Sequence, residues 1–318
     1  MAHPKTVSVI GPSPDGGPGK NAGRSGTLMR RAAIASVSVS LFLVAIKTFA
    51  FFLSHSVAML ASLADSALDL FASSLNMIAI RSALTPADAE HRFGHGKAEP
   101  LAGLAQSAFI AASALFLVLQ AAQRIITPEP LDNSIPALAV MCISIFATIL
   151  LVLYQRHVVA RTGSVAVEAD TTHYTSDLAT NVGVIVALVL VTWMGWALAD
   201  PLIALAVAGW MLFTALGVGR QSFHQLMDRE LPDAERARIL RIAGSHAAVK
   251  NVHELKTRTA GLSTFIQLHL GLDPRMSLAE AHAISDAVEQ ALLAAYPGAE
   301  VIIHQDPAGL EPLPSLPE

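Results

Sequence analysis

Two pairs of metal-capable side chains recur at one interval. Asp65 and Asp69 lie in ASLADSALDLFASSLN, and His173 and Asp177 in EADTTHYTSDLATN. Residues at i and i+4 of an α-helix share a face, one turn apart. Both pairs sit in or beside long apolar runs, where an ionisable group is costly and marks an ion or proton path. Three carboxylates and one imidazole make a set of four ligands. A tetrahedral, borderline divalent ion accepts such a set: zinc first, with cadmium, ferrous iron and cobalt as competitors. An all-oxygen set would have pointed to manganese or magnesium instead. The His also links metal to protons, since imidazole titrates near neutrality and binds metal only when deprotonated.

The elements that must position these residues are membrane spans. Of the 318 residues 53% are hydrophobic and 14% charged, against roughly 25% charged in soluble domains. The apolar surplus is confined to residues 32–218, and the stretch from 220 to 306 reads as ordinary soluble protein. Six runs can each cross roughly 30 Å of hydrocarbon: residues 32–53, 57–80, 100–126, 137–154, 165–193 and 196–218. Lys and Arg fall on one side of these spans (Arg24, Arg30, Arg31, Arg81, Arg92, Lys97, Arg156, Arg161, Arg220), and the opposite connections 54–56, 127–136 and 194–201 contain none. The basic side is cytoplasmic, so both termini are expected there. At 1.5 Å per residue, Asp69 lies about 18 Å from the outer end of the second span and Asp177 about 18 Å from the inner end of the fifth. All four residues are therefore expected near mid-membrane. A lone Asp there costs on the order of 3 kcal/mol, so three carboxylates must share protons, face water or neutralise a cation.

The chain is expected to divide into a disordered cytoplasmic extension at 1–28, rich in Gly, Pro and Ser without a signal-peptide core; a six-span all-α transmembrane bundle at 29–219; a small α+β domain at 220–307; and a Pro-rich disordered tail at 308–318. In the third of these, periodicity predicts helices at 233–246 and 278–295 and strands at 253–258, 264–270 and 300–305. That order, α-β-β-α-β, suggests helices on one face of a sheet. His304 and Asp306 are two apart and project from one face if the strand continues; His253, His269 and His282 could join them. After the second span, Asp88, His91 and His95 occupy a polar segment whose Gly94 and Gly96 argue for a loop, so spacing alone does not put the three on one face. Lys47 is the one basic residue in the middle of an apolar span; it could snorkel, pair with an acid or line the bundle interior. Asn76 and Asn181 are suited to hydrogen bonds between helices. The fourth span and the 155–163 segment offer no chemistry. Cys142, the only cysteine, excludes an intramolecular disulfide and reads as packing. A net charge of −4 gives no reason to expect nucleic acid.

Taken together, HSVAMLASLADSALDLFAS, PADAEHRFGHGKAEPLAGLAQS, EADTTHYTSDLATN, FIQLHL and VIIHQDP resemble the cation diffusion facilitators, over residues 29–307. The resemblance implies a homodimer in the bacterial inner membrane that exports divalent metal (zinc, ferrous iron or cadmium) in exchange for protons, with no prosthetic group. It implies a transport site at Asp65, Asp69, His173 and Asp177 and a second metal site at Asp88, His91 and His95, serving delivery or regulation. The soluble domain is expected to be metallochaperone-like, with two ions held between the dimer's cytoplasmic domains by His253, His269, His282, His304 and a bridging Asp306. Thr172 departs from the Leu expected just before the site's His. Two other readings are weighed. A membrane-anchored metal sensor would need the soluble sites but not a mid-membrane quartet. An intramembrane metalloprotease would need a motif such as HExxH, and His253-Glu254 has Thr257 where the second His belongs.

Overall fold

The structure, a computed structural model, describes residues 18–54, 57–126, 135–196 and 198–309. Residues 1–17 of the expected extension and 310–318 of the expected tail lie outside these. The chain forms two compact units, divided near residue 223.

Apart from residues 18–26 and 224–226, which group with the second unit, the first unit consists of six helices: α1 (Pro18–Ser54), α2 (Val57–Ala83), α3 (Ala98–Ile126), α4 (Ile135–Thr162), α5 (Val165–Met194) and α6 (Ala199–Leu226). All six are long and apolar enough to span a membrane. Two expected boundaries move. Helix α1 begins at Pro18, so residues 18–28 are helical and not part of a disordered extension; a proline is tolerated in the first turn because its missing N–H would have no partner there. Helix α6 continues past residue 219 to Leu226, and α4 takes in most of the 155–163 segment. Polar residues carry both helices beyond the apolar run that hydropathy sees.

The packing of this unit inverts that of a soluble protein. Small residues are buried between helices, among them Ala33, Ser36, Ser40, Ala72, Ser73, Ala166, Ala169 and Ser176, while Phe42, Phe71, Phe116, Phe146, Leu153 and Phe213 point outward. Lipid offers no hydrophobic reason to bury large side chains, so helices associate by close backbone approach and hydrogen bonding. Gly103 shows how close this is: a Cβ added there would stand 2.5 Å from the Ser222 hydroxyl. Helix α5 packs against α2, α3 and α4. Its start is fixed by the Ser164 N-cap, which accepts from Val167 N, and its end by Gly195 in the left-handed region at φ 66°; both are ordinary cap chemistry.

The second unit contains α7 (Asp233–Ala243), β1 (Asn251–Ala260), β2 (Ser263–Leu272), α8 (Leu278–Ala295) and β3 (Glu300–Pro307), the order read from periodicity. The sheet runs β1-β2-β3, with β1–β2 antiparallel and β2–β3 parallel. The alternating residues Ile266, Leu268, Leu270 and Leu272 of β2 face Ile239 and Ala243 of α7 and Val288 and Leu292 of α8 in one core. A capping box starts α8: Ser277 accepts from Glu280 N while Glu280 reaches back to Ser277 N. Those donated bonds hold the Glu280 carboxyl below its ordinary range. The other face of β2 carries Phe265, Gln267 and His269.

Candidate metal centres

Three groups of ligand atoms converge among the described residues. The first lies between the two spans that carry the repeated interval. Val57 opens α2 and Val165 opens α5, so Asp69 and Asp177 stand equally far along two helices that run in opposite directions. Nε2 of His173 is 3.1 Å from Asp69 Oδ1 and 3.5 Å from Asp177 Oδ2. The ligand atoms of Asp69, His173 and Asp177 all lie within 4.8 Å of one another. Asp177 Oδ2 is buried without a hydrogen-bond donor, an acceptor left for a cation. Asp65 is outside this group and exposed. One turn up the helix axis from Asp69 is about 6 Å, which separates the two carboxylates unless the Asp65 side chain swings down.

Side chains beside the triad hold α5 in register. The Tyr174 hydroxyl is 2.5 Å from Ser40 Oγ on α1 and 2.7 Å from Ser73 Oγ on α2. Asn76 of α2 donates to the Ala166 carbonyl at 3.3 Å, the interhelical role expected for it. Asp170, 1% exposed, accepts from Ser36 Oγ at 2.5 Å and from Gln155 Nε2 at 2.6 Å. Glu99, buried in the first turn of α3, accepts from Ala166 N at 3.5 Å, placing a carboxylate at the positive end of the α5 dipole. The expectation that 155–163 offers no chemistry is therefore corrected: Gln155 is fully buried and ties α4 to α5. Asp170 and Glu99 were not singled out either. The signal was an acid at the start of an apolar span, which is costly unless it has donors to meet. The Thr172 hydroxyl donates to the Glu168 carbonyl of its own helix at 2.9 Å, so its polarity is satisfied locally.

The second group is the loop between α2 and α3. Asp88 Oδ1 accepts from the backbone N–H of His91 at 2.7 Å and of Glu90 at 2.9 Å, and the His91 bond leads in holding its carboxyl below the usual range. His95 Nε2 lies 3.3 Å from Asp88 Oδ2 and His91 Nδ1 3.5 Å from Asp88 Oδ1. Backbone turns, and not helical periodicity, gather the three.

The third group is a row across the sheet. His253 of β1 pairs in register with His269 of β2, and His269 with His304 of β3. Asp306 Oδ2 receives His269 Nδ1 at 2.8 Å and lies 3.2 Å from His253 Nε2, while its Oδ1 is 3.2 Å from His304 Nε2. Partial burial alone would raise the Asp306 carboxyl; the His269 hydrogen bond and the nearby imidazoles override it and hold the group below its ordinary range. Both Asp306 oxygens thus face imidazole nitrogens, as a bridging ligand requires. His282 is not in the row: it is exposed on α8, with Asp286 3.6 Å away on the next turn. Asp306→Ala removes the carboxylate that meets all three imidazoles of this row and is expected to abolish zinc binding there. Equilibrium binding to the full chain, with the other two groups intact, should show the loss of those sites alone.

The comparisons with known proteins cover both units. Residues 33–227 match the family model described as the cation efflux transmembrane domain, and residues 231–308 match that of the cation efflux protein cytoplasmic domain. Proteins named cation-efflux pump FieF from Salmonella arizonae and Klebsiella pneumoniae are 46% identical over 287 residues, covering 90% of this chain and 95% of theirs. A solved metal-bound C-terminal domain of the CzcD transporter from Thermotoga maritima is 26% identical over 26% of this chain and 100% of its own, with a TM-score of 0.24. With six spanning helices and both family domains in order, the chain is a multi-pass membrane transporter, not an enzyme, and belongs to the cation efflux family.

Proposed function

We propose that this transporter is a proton-coupled antiporter that exports divalent transition metal from the cytoplasm, zinc first and ferrous iron or cadmium also. The observation that supports it most is the Asp69–His173–Asp177 triad, with an unsatisfied buried oxygen, on two oppositely directed spanning helices. Mixed nitrogen and oxygen donors suit zinc-like ions. Three donors leave a tetrahedral ion one position short, and Asp65, on the same face of α2, is the acid that closes it. Metal and protons compete for these groups, because an imidazole or carboxylate that carries a proton cannot ligate. Cytoplasmic metal at neutral pH displaces protons, and protons entering from outside displace metal outward. The distribution of Lys and Arg supports cytoplasmic termini and an inner-membrane location.

The soluble unit supports a homodimer. Its His253–His269–His304–Asp306 row provides ligands for two ions around one bridging carboxylate, and His282, exposed and outside the row, is available to the partner subunit. The loop group at Asp88, His91 and His95 lies at the cytoplasmic end of α2 and is suited to delivering or sensing metal.

Flux into inside-out vesicles tests the proposal across zinc, ferrous iron, cadmium and manganese. Zinc is expected to accumulate when the interior is acidic, and to lose that accumulation when an uncoupler collapses the gradient. Uptake indifferent to the pH gradient would remove the proton coupling, and uptake of manganese in preference to zinc would remove the metal assignment.

A further inference from the structure

The strongest unassigned feature beside the transport site is Lys47. It lies in the apolar part of α1, half-buried, and its ammonium donates to Ser66 Oγ at 2.7 Å and to the Ser62 carbonyl at 3.2 Å. Ser62, Asp65, Ser66 and Asp69 stand at i, i+3, i+4 and i+7 of α2, one face of the helix. Ser66, which receives the ammonium, is 1% exposed. The lysine is thus tied to the helical face that carries two of the proposed ligands, and among the described residues it makes no ion pair within 4.0 Å. A cation at membrane depth is costly without a compensating negative charge. Ser66, which takes the ammonium, lies between Asp65 and Asp69 on α2, and Asp69 shares the triad with Asp177.

Resting on the reading of these residues as the transport site, we infer that Lys47 is a fixed countercharge that sets how tightly the metal is held. Asp65, Asp69 and Asp177 bring three negative charges, a divalent ion two positive ones and Lys47 the third. The loaded site is then neutral within the membrane. Without Lys47 the same site keeps one uncompensated negative charge beside the ion, binds it more tightly and releases it more slowly. Ser66 and Ser62 matter because they hold the ammonium beside the carboxylates while keeping it from entering the site as a competing cation.

Zinc transport by full-length protein in proteoliposomes tests this. Lys47→Met is expected to lower KM about tenfold and kcat by at least as much, the order of effect of one unit charge about 10 Å away in a partly buried site. Lys47→Arg should return both to within about twofold, because it restores the charge. A folded Lys47→Met protein whose KM is unchanged or raised overturns the inference, since a packing role would lower kcat without tightening binding. If Lys47→Met does not fold, Ser66→Ala retains the charge but loosens its anchor; it should lower KM in the same sense, and an unchanged KM overturns the inference. Wild-type vesicles that take up no zinc would fault the transport reading and not this one. Equilibrium zinc binding with Asp88→Ala and Asp306→Ala in place then isolates the membrane site. There, tightening by Lys47→Met supports the countercharge and unchanged affinity overturns it.

Discussion

Replacing any of Asp65, Asp69, His173 or Asp177 by alanine is expected to lower zinc flux by about 100-fold or more. The basis is the number of donors a small divalent ion needs. The structure brings together three ligand atoms within 4.8 Å, and in the proposed site Asp65, on the same face of α2, is the fourth. Loss of a group that merely orients a metal ligand typically costs about 10–100-fold, so loss of a ligand costs more. His173→Ala should be the most informative of the four. His173 is 6% exposed, bonds Asp69 and lies 3.5 Å from Asp177 Oδ2, so alanine leaves two acids at close range with no imidazole between them. Vesicle uptake measured at saturating zinc, with the protein's dimer verified by size exclusion, checks the prediction. Near-normal flux in His173→Ala and Asp69→Ala together would show that the ion travels elsewhere. Flux retained in Asp65→Ala alone would show that the three-residue group suffices, with water in the fourth position.

The second large effect is expected from a residue outside the ion path. Asp170→Ala removes the acceptor for Ser36 Oγ and for Gln155 Nε2 in a region sealed from water. Stranding a buried donor typically costs 1–3 kcal/mol; Ser36 Oγ keeps the Ala32 carbonyl at 3.2 Å and Gln155 keeps Ser36 Oγ at 2.8 Å, so the loss is weakened hydrogen bonding and not two orphaned donors. A loss of about 1–3 kcal/mol is expected, a large fraction of the roughly 5–15 kcal/mol by which folds are stable. Thermal unfolding of the detergent-solubilised protein measures it. Asp170→Asn, which keeps one carbonyl acceptor, should lose less. If Asp170→Ala melts with the wild type, the network joining α1, α4 and α5 does not stabilise the bundle.

These two predictions also mark what sequence could and could not show. Spans are legible because a lipid-facing helix must be largely apolar; the start of α5 is the least legible, since Glu168, Asp170 and His173 make its first turns polar. The His173–Asp69 contact was legible because i,i+4 pairs at matching depth on oppositely running helices must face one another if either is to be neutralised. In the soluble unit, period-two alternation located β2 and β3, and the spacing of His304 and Asp306 put both on one face. What escaped was whatever depended on a partner far along the chain. Asp170 and Gln155 are unremarkable until α4 and α5 pack, when they meet each other and Ser36 of α1. Glu99 likewise looks like a surface acid at a helix start, and only folding places it over the first turn of α5. Helix ends escaped too: α1 and α6 extend into polar sequence, where hydropathy stops but backbone hydrogen bonding does not.

The matched starts of α2 and α5 have an electrical consequence. A site equally far from the two ends of oppositely running helices lies about halfway through the voltage drop across the membrane, whichever side it is reached from. Moving one elementary charge through 100 mV is worth about 2.3 kcal/mol, so a divalent ion brought halfway through that drop meets about the same sum. Two protons travelling the other way to the same depth meet it with opposite sign. Under the proposed antiport, exchange of one divalent ion for two protons cancels charge at this depth as at any other, whereas one-for-one exchange leaves one charge per cycle, and the membrane potential then favours protons entering and opposes metal leaving.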